Sequence, residues 1–124
     1  MTIFEKATLD AVKYLKEKKC NNLEVAWRIA LLDNGASGSV IDKSCPRKTF
    51  ADLCNNGYIK NISSYSNVEL SENGRMAIEA IKILNANNWR INSKQAFWFQ
   101  YFKKSYESQL DIILVLKNNN LLIN

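Results

Sequence analysis

Histidine is absent from this 124-residue chain. That absence removes the commonest general base near neutral pH, every Ser-His or Cys-His nucleophile pair and most zinc sites. One proline and four glycines are too few for a collagen-like sequence or a sandwich of many short strands with Gly/Pro-rich turns. No run approaches the roughly 18 apolar residues that a membrane-spanning helix needs; the longest is Ile112 to Leu116. The opening Met1-Thr2-Ile3-Phe4-Glu5-Lys6 passes directly into amphipathic sequence, without the basic start, apolar middle and small-residue cleavage site of a signal peptide. Three cysteines, an odd number with no paired spacing, fit a reducing compartment better than a disulfide framework. The expectation is a cytoplasmic protein with no membrane segment.

What is present is apolar: 47% of the residues are hydrophobic and 10% aromatic. That is enough for one continuous core but not for two, so residues 1–124 are expected to form a single, mainly α-helical domain. The net charge of +5 permits an acidic partner such as nucleic acid without requiring one.

Helical spacing and punctuation predict about six helices. Thr2 and Glu5 have capping-box spacing ahead of Phe4, Ala7, Ala11, Val12 and Leu15, giving a first helix over residues 3–19. Asn22 caps a second over 23–32, with Ala26, Trp27, Ala30 and Leu31 facing inward. After a loop over 35–43, Ser44-Cys45-Pro46 opens a third with a capping hydroxyl and an early proline, and Asn55-Asn56-Gly57 closes it. Tyr58 to Ile62 alternates like a strand and reads as part of a short β wing. Ser63 to Leu70 is a polar linker. Ser71 or Asn73 starts a fourth helix carrying Met76, Ala77, Ala80, Ile81 and Leu84. Ser93 caps a fifth over 94–104, where Phe97, Trp98, Phe99, Tyr101 and Phe102 crowd together. A sixth contains Leu110, Ile113, Leu114 and Leu116 and ends at Asn118-Asn119-Asn120.

The order repeats. Ala11-Val12-Lys13-Tyr14-Leu15 is answered by Ala80-Ile81-Lys82-Ile83-Leu84, and Ala26-Trp27 by Ala96-Phe97. Phe50, Leu53, Asn56, Gly57, Tyr58 and Ile59 correspond, at one constant offset, to Ile113, Leu116, Asn119, Asn120, Leu121 and Leu122. Asn is the non-glycine residue that best tolerates the left-handed conformation closing a helix, so Asn120 can stand where Gly57 stands. The expected architecture is two pseudo-repeated tri-helical halves, about 1–62 and 70–124, sharing one core. Chance likeness between amphipathic helices is the competing explanation.

The run Ser44-Cys45-Pro46, Phe50, Leu53-Cys54 and Gly57 resembles the signature of a small bacterial family known as a domain of unknown function. Ala26-Trp27 and Ser108-Gln109-Leu110-Asp111 resemble the same family, so the likeness covers most of the chain. It implies no catalytic residues. The tri-helical order followed by the Tyr58 to Ile62 tail is also similar, more loosely, to winged-helix and helix-turn-helix domains.

Chemistry-bearing constellations are sparse. Asp10, Glu17, Glu24, Asp33, Asp42 and Asp52 are scattered without forming an acid/base pair, and Gly35-Ala36-Ser37-Gly38-Ser39 lacks the lysine and preceding strand of a phosphate loop. No enzyme, cofactor or metal is expected. Cys45 beside Arg47 and Lys48 sits where a thiolate is stabilised, but with no catalytic partner it reads as a packing residue. Lys43, Arg47, Lys48 and Lys60 form the best basic constellation, at the places a helix-turn-helix reader presents to nucleic acid; an ordinary solvated face, tempered by Asp42 and Asp52, is the plainer reading. Trp98, Tyr101, Phe102 and Tyr106 are the candidate surface for stacked bases or a protein partner, if Phe97 and Phe99 or a similar subset fill the core; a core seam between the two halves is the plainer reading of the cluster. The expected function is a small non-enzymatic nucleic-acid-binding protein, with a protein-interaction adaptor or inhibitor as the alternative.

Overall fold

The computed structural model describes residues 1–62 and 69–123. Their helices are α1 (Ile3–Lys16), α2 (Leu23–Asp33), α3 (Ser44–Asn55), α4 (Glu72–Ala86), α5 (Lys94–Phe102) and α6 (Gln109–Asn118), with a short 3-10 turn at Gly38–Val40. The mainly helical expectation holds. Most of the linker expected over 63–70 lies outside the described residues.

Local chemistry explains the helix starts. Thr2 accepts from the Glu5 N–H at 3.2 Å while the Glu5 carboxylate accepts from the Thr2 N–H at 3.0 Å, closing the capping box. Asn22, Ser71 and Ser93 cap α2, α4 and α5 through their side chains. The third start differs from expectation: Lys43 is the cap residue of α3, and no side chain caps it, because Ser44 is already helical. Helix α1 stops at Lys16 rather than 19, with Lys18 left-handed, and α5 stops at Phe102 where Lys103 turns left-handed.

Helix α6 packs against α1, α3 and α4; α2 leans on α1 and α3, and α3 packs on α4. Helix α5 approaches none of the others as closely and is held by long side chains. The core is one cluster, in which Trp27 stacks between Phe4 (6.4 Å) and Phe50 (5.0 Å). A buried aromatic ring takes about 150–250 Å² out of water, worth roughly 4–6 kcal/mol at about 25 cal/mol per Å² as an upper bound. Trp27 and Trp98 are therefore the two largest anchors of the core.

The expected β wing is not formed. The tail after α3 instead meets the tail after α6 in a single antiparallel bridge between Ile59 and Leu122, and no longer strand occurs among the described residues. The Lys60 N–H donates to the Leu121 carbonyl and the Ile123 N–H to the Tyr58 carbonyl, both at 2.8 Å. Each tail is set up by the same helix ending. Gly57 and Asn120 are left-handed, and the next N–H reaches back to Leu53 at 3.0 Å or Leu116 at 2.9 Å. Asn56 and Asn119 each donate a side-chain N–H four residues back, to Asp52 and Val115.

Candidate nucleic-acid interface

Helix α3 presents Lys43 and Lys48 to solvent and keeps Arg47 half-buried, with its Nε enclosed and unbonded. These three gather at the start of α3. Lys60 does not join them: it follows the other end of a 12-residue helix about 18 Å long, and its ammonium donates to Asn120 Oδ1 at 2.9 Å.

The carboxylates near this cluster in sequence are occupied elsewhere. Asp52 is buried, and its Oδ2 accepts from the Ser71 N–H at 3.0 Å and the Ser71 hydroxyl at 2.5 Å, at the positive end of α4. Asp42 pairs with Arg28 at 3.5 Å. Another acid arrives from a distance: Glu107 shares with Lys43, Ser44, Cys45 and Pro46 a hollow of about 180 Å³. Cys45 also borders a second hollow of about 200 Å³ beside Glu72 and Lys104, which form an ion pair. The Lys104 hydrogen bond, followed by its charge, lowers the Glu72 pKa from the usual carboxylate value. Cys54 is a core residue whose thiol is pushed up by burial, and so is unreactive.

The aromatic helix divides between core and surface. Trp98 is 0% exposed, as a core seam requires and a partner-binding face does not, whereas Phe99, which the partner-surface reading places inside, is 61% exposed. The spacing of Lys94, Trp98 and Phe102, four residues apart, explains this: they share one face, and Phe99 is turned away from it. Phe102 and Tyr106 are half-buried against Trp98, with ring centroids 4.5 and 6.1 Å away. Of the four proposed residues only Tyr101, 44% exposed, presents much of its ring to solvent.

Beneath them lies a polar knot that the sequence did not reveal. The buried Asp111 accepts from Lys94 at 2.7 Å, from the Tyr106 hydroxyl at 2.6 Å and from the Thr2 hydroxyl at 3.2 Å. It thereby ties α5 and the start of α1 to α6. Burial first, then the hydrogen bond to Asp111, push the Tyr106 phenol up.

Two further surfaces were missed. Val25, Ile29 and Leu32 form an exposed apolar stripe on α2, opposite its buried face; their four- and three-residue spacing was visible in the sequence. In the α4–α5 loop, Asn88 and Trp89 are consecutively left-handed, an uncommon conformation for a bulky residue. The loop is held by the Trp89 N–H to Leu84 at 2.8 Å, the Trp89 indole to Asn85 at 2.9 Å, and Lys117 at 4.9 Å from the ring centroid. It borders a cleft of about 200 Å³ reaching the side of α5.

No helix of the described residues is long and apolar enough to cross a membrane. No curated protein and no solved structure matches the chain. A family model described as "Family of unknown function (DUF6979)" matches residues 1–123, and the chain belongs to that family.

Proposed function

We propose that the protein is a non-enzymatic nucleic-acid-binding protein whose contact surface centres on Lys43, Arg47 and Lys48 at the start of α3. The observation carrying this reading is the burial of Asp52 against Ser71, which withdraws that carboxylate from the basic face, while the exposed Asp42 is paired with Arg28. The reading takes each half as a tri-helical unit without a wing among the described residues, working in the reducing cytoplasm with its cysteines free. Duplication of one tri-helical unit is supported by the matched endings at Gly57 and Asn120 and by the bridge between the tails they launch. In fluorescence-anisotropy titrations with duplex DNA, single-stranded DNA and RNA, affinity is expected to fall as salt rises. Three phosphate contacts on duplex DNA would give a log–log slope of about −3. Combined Arg47→Glu and Lys48→Glu substitution should abolish this binding; unchanged affinity would remove the α3 surface from consideration.

The second reading is a protein-interaction adaptor, and the exposed Val25, Ile29 and Leu32 stripe favours it. Helix α2 is apolar on both faces, although the core covers only one of them. A contact made there would be insensitive to salt, in contrast to the basic face.

A further inference from the structure

We infer that the cleft between the α4–α5 loop and the side of α5 binds one nucleotide unit, with its base against Tyr101 and its phosphate at Arg90. The cleft is lined by Asn87, Arg90, Asn92, Phe97, Gln100 and Tyr101, among others, and holds about 200 Å³. That is below the roughly 300–1,000 Å³ of sites for drug-sized ligands, and suits a flat group the size of a single base. Its lining supplies the three kinds of contact that a nucleotide uses.

The Tyr101 ring is half-exposed and braced from behind by Phe97, at 4.8 Å between centroids and tilted by 52°, so it is a supported stacking platform. The side chains of Asn92 and Gln100 make no hydrogen bond among the described residues, which leaves amide donors and acceptors for a base edge. Arg90 is exposed without an ion pair among the described residues, and its guanidinium is the group suited to a phosphate. Its backbone is fixed: Asn87 accepts from the Arg90 N–H at 3.2 Å and donates to the Arg90 carbonyl at 3.3 Å. The left-handed Asn88 and Trp89 are what turn the chain so that Arg90 enters this cleft.

The same chemistry is offered by a free nucleotide and by one unit of a single strand; a duplex, whose bases are stacked inside, cannot place a base on Tyr101. The proposal rests on the nucleic-acid reading for the class of partner but uses none of the α3 side chains, so the two can fail separately. The test uses the full chain, adenosine and uridine monophosphates, labelled single-stranded eight-nucleotide DNA and RNA, and a duplex of the same sequence. Amide chemical shifts and anisotropy are the readouts. Tyr101→Leu keeps an apolar contact for Phe97 but removes the flat ring, and Arg90→Gln changes only an exposed side chain. Tyr101→Leu should weaken single-strand or mononucleotide binding by roughly 5- to 100-fold, the range for loss of one stacked base, Arg90→Gln should weaken it through loss of the phosphate contact, and both should leave duplex binding unchanged. Shifts over residues 87–101 with monophosphates identify a free nucleotide as the source, and shifts only with oligonucleotides identify a strand. Binding that both loop variants retain in full, but that the α3 charge reversal abolishes, overturns this site and keeps the α3 surface. The reverse pattern keeps this site alone, and no response to any probe overturns both.

Discussion

Gly74 lies so close to Asp52 that an added Cβ would sit 2.1 Å from its Oδ2 and 2.6 Å from its Cβ. The short aspartate side chain cannot retreat without leaving Ser71, which it holds by two hydrogen bonds. Gly74→Ala should therefore cost roughly 2–4 kcal/mol, combining overpacking with a weakened buried carboxylate, as measured by urea denaturation. Tyr106 sets a different sensitivity. Its folded pKa is raised above the ordinary tyrosine value of 10.0. The stability it contributes is thus complete below that value and is lost as pH rises through the higher folded one. Alkaline denaturation followed by circular dichroism should show this loss above about pH 10, and Tyr106→Phe should blunt it. An identical alkaline profile in the variant would show that other tyrosines carry the effect. Tyr14 provides the contrast: its bond to Asp33 pushes it to about 12, but it is only half-buried, at the edge of the core, and its hydroxyl joins only α1 to α2.

Among the elements, what could be read from sequence was what depends on near neighbours. Thr2 with Glu5, Asn22 and Ser93 announced their helices because a cap uses groups two or three residues away. Gly57 and Asn120 announced their endings for the same reason. The facing of α5 was obscured because five rings in nine residues leave no polar side to contrast with. Its inward face became clear only once Asp111, seventeen residues beyond Lys94, supplied the anchor. The candidate basic site was half legible: adjacency in sequence grouped Arg47 with Lys48, but the inward turn of Asp52 and the arrival of Glu107 depend on distant partners. Helix α2 offers a test of how sharply the two faces differ. Ile29→Lys should change stability by less than about 0.5 kcal/mol, whereas Ala30→Leu, one residue on and fully buried, should cost about 1–3 kcal/mol by overpacking. Equal effects in thermal melts would mean that the α2 stripe is not the free face described above.

At the scale of the whole molecule, the two halves are interlocked rather than side by side. Helix α1 packs on α6, α4 packs on α3, and the tails bridge at Ile59 and Leu122. Neither half buries its own helices fully without the other. Urea unfolding should therefore be a single transition, with coincident midpoints by far-UV circular dichroism and by tryptophan fluorescence. Separate midpoints would show that the halves fold independently.

The pairing of α1 with α6 also imposes an order on biosynthesis. Helix α1 is made first, yet the surface that covers it emerges only after about a hundred more residues, roughly 5–20 s later at ordinary translation speeds. Throughout that interval α2 can cover one side of α1, but the side that α6 packs against stays open. The newborn chain is thus a natural client for ribosome-associated chaperones, and an interruption of translation before α6 would leave a product that cannot complete its core.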